Sequence, residues 1–433
     1  MRYITDWHIH SKFSRACSKD LELPTIAAWC AKKGIDIVAT GDWTHPGWFQ
    51  HLEEHLVEER QGIYRLNPNV GTGQCPVPTL ANANTNTNPT EFMLVQEVSQ
   101  IYKKGDKCRR IHNLVFSPSL ETCRKVIAWM NDRSFNLKSD GRPILGIDSE
   151  VLYRELKSID KKIIVIPAHA WTPWYAVFGS KSGFDSIEEC FGDMSPYIYA
   201  IETGLSSNPA MNWQLSGLDK VVCISNSDAH SPRKLGREAN VFEFDTPPTY
   251  DDFVRVLKEQ DRNHFKYTIE FFPEEGKYHF DGCAACGFSS APTESKRLGL
   301  LCPRCKKPMT LGVEHRVEAL ADRSPTEVSS RKIPYKSIVP LEEILAECFG
   351  VSSGSGKRVQ EEYQRLIDQV ANEFTLLLDA PIEQIATVAT NSLISQAIQR
   401  VRDGKVCATP GYDGIFGTVK IFDKEKPEGT KQN

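Results

Sequence analysis

Histidines and acids recur in this chain at spacings that let several side chains meet at one point. His8 and His10 stand one residue apart in "DWHIH", and Asp228 and His230 repeat that spacing in "SNSDAH". Residues i and i+2 of an extended segment face the same side, so each pair can aim at a single centre. Between them lie Asp42 and His45 in "TGDWTHP", Glu97 in "EFMLVQEV", His112 in "IHN", His169 in "IPAHAW" and Glu202 in "AIETG". Any one of these alone is more often a satisfied core residue than a ligand. Gathered in one cavity, six imidazoles and several carboxylates would instead hold divalent cations, and that donor set suits Zn, Mn or Fe, with Mg as a further candidate. There are more ligands than one ion uses, so two or three ions are expected. Such clusters hydrolyse phosphate esters by clamping phosphoryl oxygens and lowering the pKa of a water.

The elements that must position these residues are short apolar runs. Strands are expected over 2–9, 34–41, 91–98, 111–116, 162–170, 197–204 and 220–230, with helical patterns such as 24–33 and 121–130 between them. Alternation of this kind predicts an α/β fold with a mostly parallel sheet and crossover helices. Seven such units favour a closed, barrel-like arrangement, whose site is built at the carboxyl ends of the strands. The candidate ligands fall at or near those ends. The stretch 69–90 is polar and rich in Gly, Pro and Asn, and reads as a long surface loop. Residues 323–334 read as a linker, and the segments after it show apolar residues at the three- and four-residue spacing of helices.

"CAAC" (283–286) and "CPRC" (302–305) form CxxC-x15-CxxC, so Cys283, Cys286, Cys302 and Cys305 are expected to close one structural zinc site. The chain has 433 residues, 40% hydrophobic and 25% charged, as for a globular protein of two or three domains. No run approaches the roughly 20 apolar residues of a membrane span. Thirteen scattered cysteines point to a reducing cytoplasm. The net charge of −4 decides nothing about a polyanionic partner, but 103–110 and 295–316 are locally basic. "GVSSGSGKRV" (350–359) misses the spacing of a nucleotide-binding phosphate loop and reads as a loop before a helix.

In order, "DWHIH", "TGDWTHP", the strand glutamate, "IHN", "IPAHAW" and "SNSDAH" resemble the motifs of the PHP phosphoesterases. The resemblance implies a distorted seven-stranded barrel, (β/α)7, with a di- or trinuclear metal site. His8, His10, Glu97 and Asp228 match one metal's ligands; Glu97, His112 and His169 match a second. His230 matches a third, with Asp42 or His45 as its partner. Catalytic roles are expected for Asp228, Glu97 and His45. Longer stretches, including "AWTPWYAVFGSKSGFDSIEECF", "AIETGLSSNPAMNW", the zinc knuckles and "PGYDGIFG" (410–417), resemble the endonuclease Q family. That family implies a catalytic barrel (1–265), a zinc domain (266–325) and a mainly helical C-terminal domain (335–433) that contacts DNA. It also implies cleavage of damaged DNA 5′ of uracil, hypoxanthine, xanthine or an abasic site. Arg142, Trp171, Trp174, Ser206 and Arg233 are the expected substrate contacts, through phosphate binding and base stacking. A replication clamp is a candidate partner that no motif specifies. A phosphatase acting on a small ester and a non-catalytic nucleic-acid-binding protein are the competing readings.

Overall fold

A computed structural model describes residues 1–69 and 89–422. The loop expected at 69–90 therefore lies, but for its ends, outside the described residues. In chain order the strands are β1 (Arg2–Asp6), β2 (Ile37–Ala39), β3 (Leu56–Arg60), β4 (Ile63–Leu66), β5 (Glu91–Met93), β6 (Val95–Lys104), β7 (Lys107–Phe116), β8 (Ile144–Leu145) and β9 (Ile164–Pro167). They continue with β10 (Ala200–Glu202), β11 (Val222–Ile224), β12 (Ala239–Glu243), β13 (Phe265–Glu270), β14 (Asp281–Cys283), β15 (Phe288–Ser290), β16 (Tyr335–Ser337), β17 (Cys407–Thr409) and β18 (Thr418–Lys420).

Seven runs close around one axis, β1, β2, β5 with β6, β7, β9, β10 and β11. β1, β2 and β5 pair in parallel, as do β10 and β11. The β9 end meets β10 through Ala170 N–H donating to Glu202 O at 2.9 Å. Past β11, His10 N–H donates to Ala229 O at 3.2 Å and returns the ring to the end of β1. Trp7 and Ile9 are buried in the apolar core, Trp7 against Phe116, Phe242 and Phe253. Their neighbours His8 and His10 face the other way, as the period of two requires.

Three features depart from a mostly parallel sheet, one of them the β3–β4 hairpin, which joins β5 antiparallel. The run expected at 91–98 breaks at Leu94, and its second half, β6, forms a ten-residue antiparallel ladder with β7. The charged residues of 103–110 are the end of that hairpin, not a separate patch. Lys104 donates to Cys190 O, and Arg109 lies 4.0 Å over the Phe184 ring. Another departure is an antiparallel extension, since β12 pairs with β1 and β13 with β12.

The expected linker at 323–334 holds two short 3-10 turns and is tied to the barrel by Arg323, which donates to Trp213 O and Asp219. β16 then adds in parallel to β13. Five helices follow, from Leu341–Phe349 to Leu393–Arg402, before the β17–β18 hairpin. The 350–359 stretch is a loop leading into the helix Lys357–Gln369.

Candidate metal centre

Two groups of ligand atoms converge at one end of the barrel, just past the carboxyl ends of β1, β9 and β11 and within the antiparallel pair β6 and β7, which carries Glu97 and His112. His8, His10, Glu97 and Asp228 bring one donor atom each within 4.8 Å of one another, and Glu97, His112 and His169 do the same. Glu97 belongs to both. Its Oε2 lies 3.5 Å from His8 Nε2 and 3.4 Å from His10 Nε2; its Oε1 lies 2.5 Å from His112 Nδ1 and 3.0 Å from His169 Nε2.

All four imidazoles are held in the same way, one nitrogen toward the carboxylates and the other anchored outside the cluster. His8 Nδ1 meets both oxygens of Glu202 at 3.0 Å. His10 Nδ1 meets Asp42 Oδ1 at 3.2 Å, His112 Nε2 meets Ser99 Oγ at 3.1 Å, and His169 Nδ1 meets Thr172 Oγ1 at 3.2 Å. An acceptor on the outer nitrogen fixes the tautomer and leaves the inner lone pair for a cation. His8 Nε2 is buried with no hydrogen-bond partner. That orphaned lone pair and the mixed imidazole–carboxylate donors fit divalent cations.

Neighbouring positive charge holds both carboxylates of the cluster low. Burial would raise Glu97, but His112, Arg142 and His8 outweigh it and hold its carboxyl well below the usual range. Asp228 is likewise held down by His8 and His10 against the effect of burial. Burial draws the His112 imidazole down to about 4 against the pull of Glu97. Three of the residues at this rim have left-handed backbone, Asp42 at φ 45°, His169 at 28° and Asp228 at 47°. Strained non-glycine conformations of this kind persist where the surroundings over-determine them, commonly at functional sites. Gly204, at φ 60°, passes so close behind His169 that an added Cβ would meet the His169 Cβ at 2.6 Å.

Other expected ligands stand apart from these groups. Asp42 turns away from the cluster and accepts Ser11 N–H at 2.7 Å and the Ser11 and Ser14 hydroxyls, besides His10. In this position it holds the outer nitrogen of His10 and is not in either ligand group. His45 precedes the helix Pro46–His55 and stacks on Phe13 at 4.2 Å, which removes it from the metal face. His230 reaches the rim, its Nδ1–H donating to Asp228 O at 2.8 Å, but among the described residues no third ligand group forms around it.

The expected substrate contacts also divide. Arg142 Nη1 is bonded to Glu97 Oε2 at 2.9 Å, beside the cluster. Trp174 is 39% exposed, on the loop that leaves His169. Trp171 is 1% exposed with its indole N–H on Asn212, so it presents no face for stacking, contrary to expectation. Arg233 is engaged by Glu342 at 2.8 Å and Gly354 O, on the helical region instead of the rim. Ser206 lies half-buried in the loop after β10. Ser99 and Thr172 were not assigned a role from sequence, and Glu202, singled out there among the acids that could hold a cation, anchors His8 instead. Ser99 could have been found, because it sits two residues past Glu97 on the same strand face.

Residues 220–261 match the family profile described as PHP-associated, and residues 340–405 match that of the MJ0043 C-terminal domain. The chain is 30% identical over 263 residues to the Methanocaldococcus jannaschii protein MJ0043, a match covering 60% of this chain and 32% of that protein. The crystal structure of the lesion-specific endonuclease PfuEndoQ from Pyrococcus furiosus superposes with a TM-score of 0.82 at 29% identity, covering 99% of this chain and 98% of that one. An endonuclease Q bound to a 27-mer duplex with an abasic lesion at its active site gives 0.80 at 30% identity, covering 99% of both chains. The chain belongs to the endonuclease Q family.

In this endonuclease Q chain the four knuckle cysteines form a third ligand group, with Cys283 Sγ and Cys305 Sγ 3.9 Å apart. The β14–β15 hairpin carries the first knuckle, and Lys306 N–H donating to Cys302 O closes the turn of the second. The Cys305 backbone N–H, partly offset by desolvation and aided by that of Arg304, draws the Cys302 thiol down to about 7, toward the thiolate a metal needs. No helix among the described residues is long and apolar enough to cross a membrane.

Proposed function

We propose that this chain is a DNA repair endonuclease that hydrolyses the phosphodiester 5′ of deaminated bases (uracil, hypoxanthine, xanthine) or abasic sites. The observation that carries the reading is Glu97, shared by two ligand groups at the open end of the barrel, in a fold that matches the endonuclease Q structures over almost its whole length. His8, His10, Glu97 and Asp228 would hold one divalent cation and Glu97, His112 and His169 a second, with zinc on the four cysteines. Cations held there supply positive charge for the phosphoryl oxygens and acidify a water. Glu202, Asp42, Ser99 and Thr172 keep the imidazole tautomers correct, and Arg142 adds a fixed positive charge beside Glu97. His230, 35% exposed and bonded through Nδ1 to Asp228 O, keeps Nε2 to take or give a proton at the scissile phosphate.

In this reading residues 1–265 do the chemistry, while 266–325 and 335–433 contact damaged DNA. A reducing cytoplasm suits four thiols kept for zinc. The expectation of a replication clamp finds no support in the comparisons. The test is nicking of duplexes that carry one uracil, hypoxanthine or abasic site, beside undamaged duplex and p-nitrophenyl phosphate. Cleavage confined to the lesion strand is expected. Hydrolysis of the small ester with no nicking would replace the reading by a phosphatase.

A further inference from the structure

The turn between β17 and β18 exposes two large apolar side chains, Ile415 at 41% and Phe416 at 68%. The backbone carrying them is rigidly held. Tyr412 and Ile415 exchange N–H to O bonds of 2.9 and 2.8 Å, and Gly411, Gly414 and Gly417 N–H groups donate to Glu274, Lys277 and Glu275 O. Asp413 Oδ2 accepts Ala284 N–H at 2.7 Å, which ties the turn to the first zinc knuckle. Exposed apolar groups on a pinned loop mark a contact surface more than a mobile tip. The surface is continuous with the metal centre. Thr172, which anchors His169, also donates to Trp174 O; the Trp174 ring meets Tyr278 edge-on at 5.9 Å; and Lys277 Nζ lies 4.4 Å over the Phe416 ring. Arg304 lies across the same knuckle, donating to Cys286 O, and Lys306 and Lys307 beside it are exposed, so the ridge is flanked by positive charge.

We propose that Phe416 and Ile415 are a wedge that enters the stack of duplex DNA and fills the space left by an extruded lesion nucleotide. The occupant is duplex DNA because the ridge is aromatic along its length, cationic at its flank and continuous with the cluster that would cut the backbone. Apolar wedges between base steps and aromatic stacking are established ways of holding an unstacked duplex. The inference rests on the nuclease reading above.

The experiment compares the parent with Phe416→Ala/Ile415→Ala and with Phe416→Trp, on a uracil in a fully paired duplex and on the same uracil in a bubble of unpaired nucleotides. Zinc content and melting temperature of all three proteins are measured first, to show that the turn still folds. For the double variant the duplex-to-bubble ratio of single-turnover rates should fall by about tenfold or more, and Phe416→Trp should restore it. Fluorescence of a 2-aminopurine beside the uracil should rise on binding the parent and not on binding the double variant. An unchanged ratio and unchanged fluorescence, with the parent nicking both substrates, overturn the wedge and leave the nuclease reading standing. A parent that nicks neither substrate overturns the nuclease reading and the wedge with it.

Discussion

Asp42→Asn separates an orienting residue from a ligand. Asp42 accepts four hydrogen bonds, from His10 Nδ1–H, the Ser11 N–H and the hydroxyls of Ser11 and Ser14. Asparagine keeps one acceptor oxygen and puts an amide NH2 in place of the other. If the NH2 faces Ser11, a buried backbone donor loses its partner, at about 1–3 kcal/mol. If it faces His10, the imidazole must change tautomer and carry its proton on Nε2, the nitrogen directed at Asp228 and Glu97. A cation would then have to displace that proton. Either way the His8–His10–Glu97–Asp228 site should bind about 10–100-fold more weakly, the range for loss of such a partner. That is about 1.4–2.7 kcal/mol. The assay is calorimetric titration of chelator-stripped protein with Mn or Zn, with total metal measured at saturation. Full stoichiometry at saturating metal is expected. An unchanged affinity would refute the orienting role, and one ion fewer at saturation would make Asp42 a ligand after all.

Other outcomes follow from the same geometry. Glu97→Ala and Asp228→Ala should abolish nicking with near-normal melting curves, since each removes a carboxylate from the cluster; full activity in both would reject the metal assignment. Gly204→Ala should weaken the Glu97–His112–His169 site, because the new Cβ would press on His169, and should leave zinc on the cysteines; mass spectrometry of metal content reads both. Cys302→Ser should lose one zinc and loosen the 280–310 segment against proteolysis, and an unchanged zinc count would end the four-cysteine reading. Because a recessed cluster must draw its nucleotide out of the duplex, uracil opposite guanine should be cut faster than uracil opposite adenine, and equal single-turnover rates with chemistry shown not to limit would count against extrusion.

What was legible in the chain itself was local and periodic. The i, i+2 spacing of His8 and His10 places both imidazoles on one face and sends Trp7 and Ile9 to the core, and the structure has them so. The CxxC turns present their own thiolates, so the cysteine group needed little from the rest of the fold. The seven apolar runs marked the barrel, because a buried strand must be apolar wherever it lies. Direction at the strand ends was another matter. Asp42 sits at φ 45°, where the alternation of a strand no longer applies, and its side chain faces His10's outer nitrogen. Trp171 looked like a stacking face because it neighbours a ligand, yet the loop buries it against Asn212. Arg142 and Arg233 are identical in kind and separate only through distant partners, Glu97 for one and Glu342 for the other. Residue type and spacing determined which groups could bind metal; the choice of inner or outer nitrogen, and of ligand or anchor, came from contacts between segments far apart in the chain, because only tertiary packing brings a second group to the other side of an imidazole.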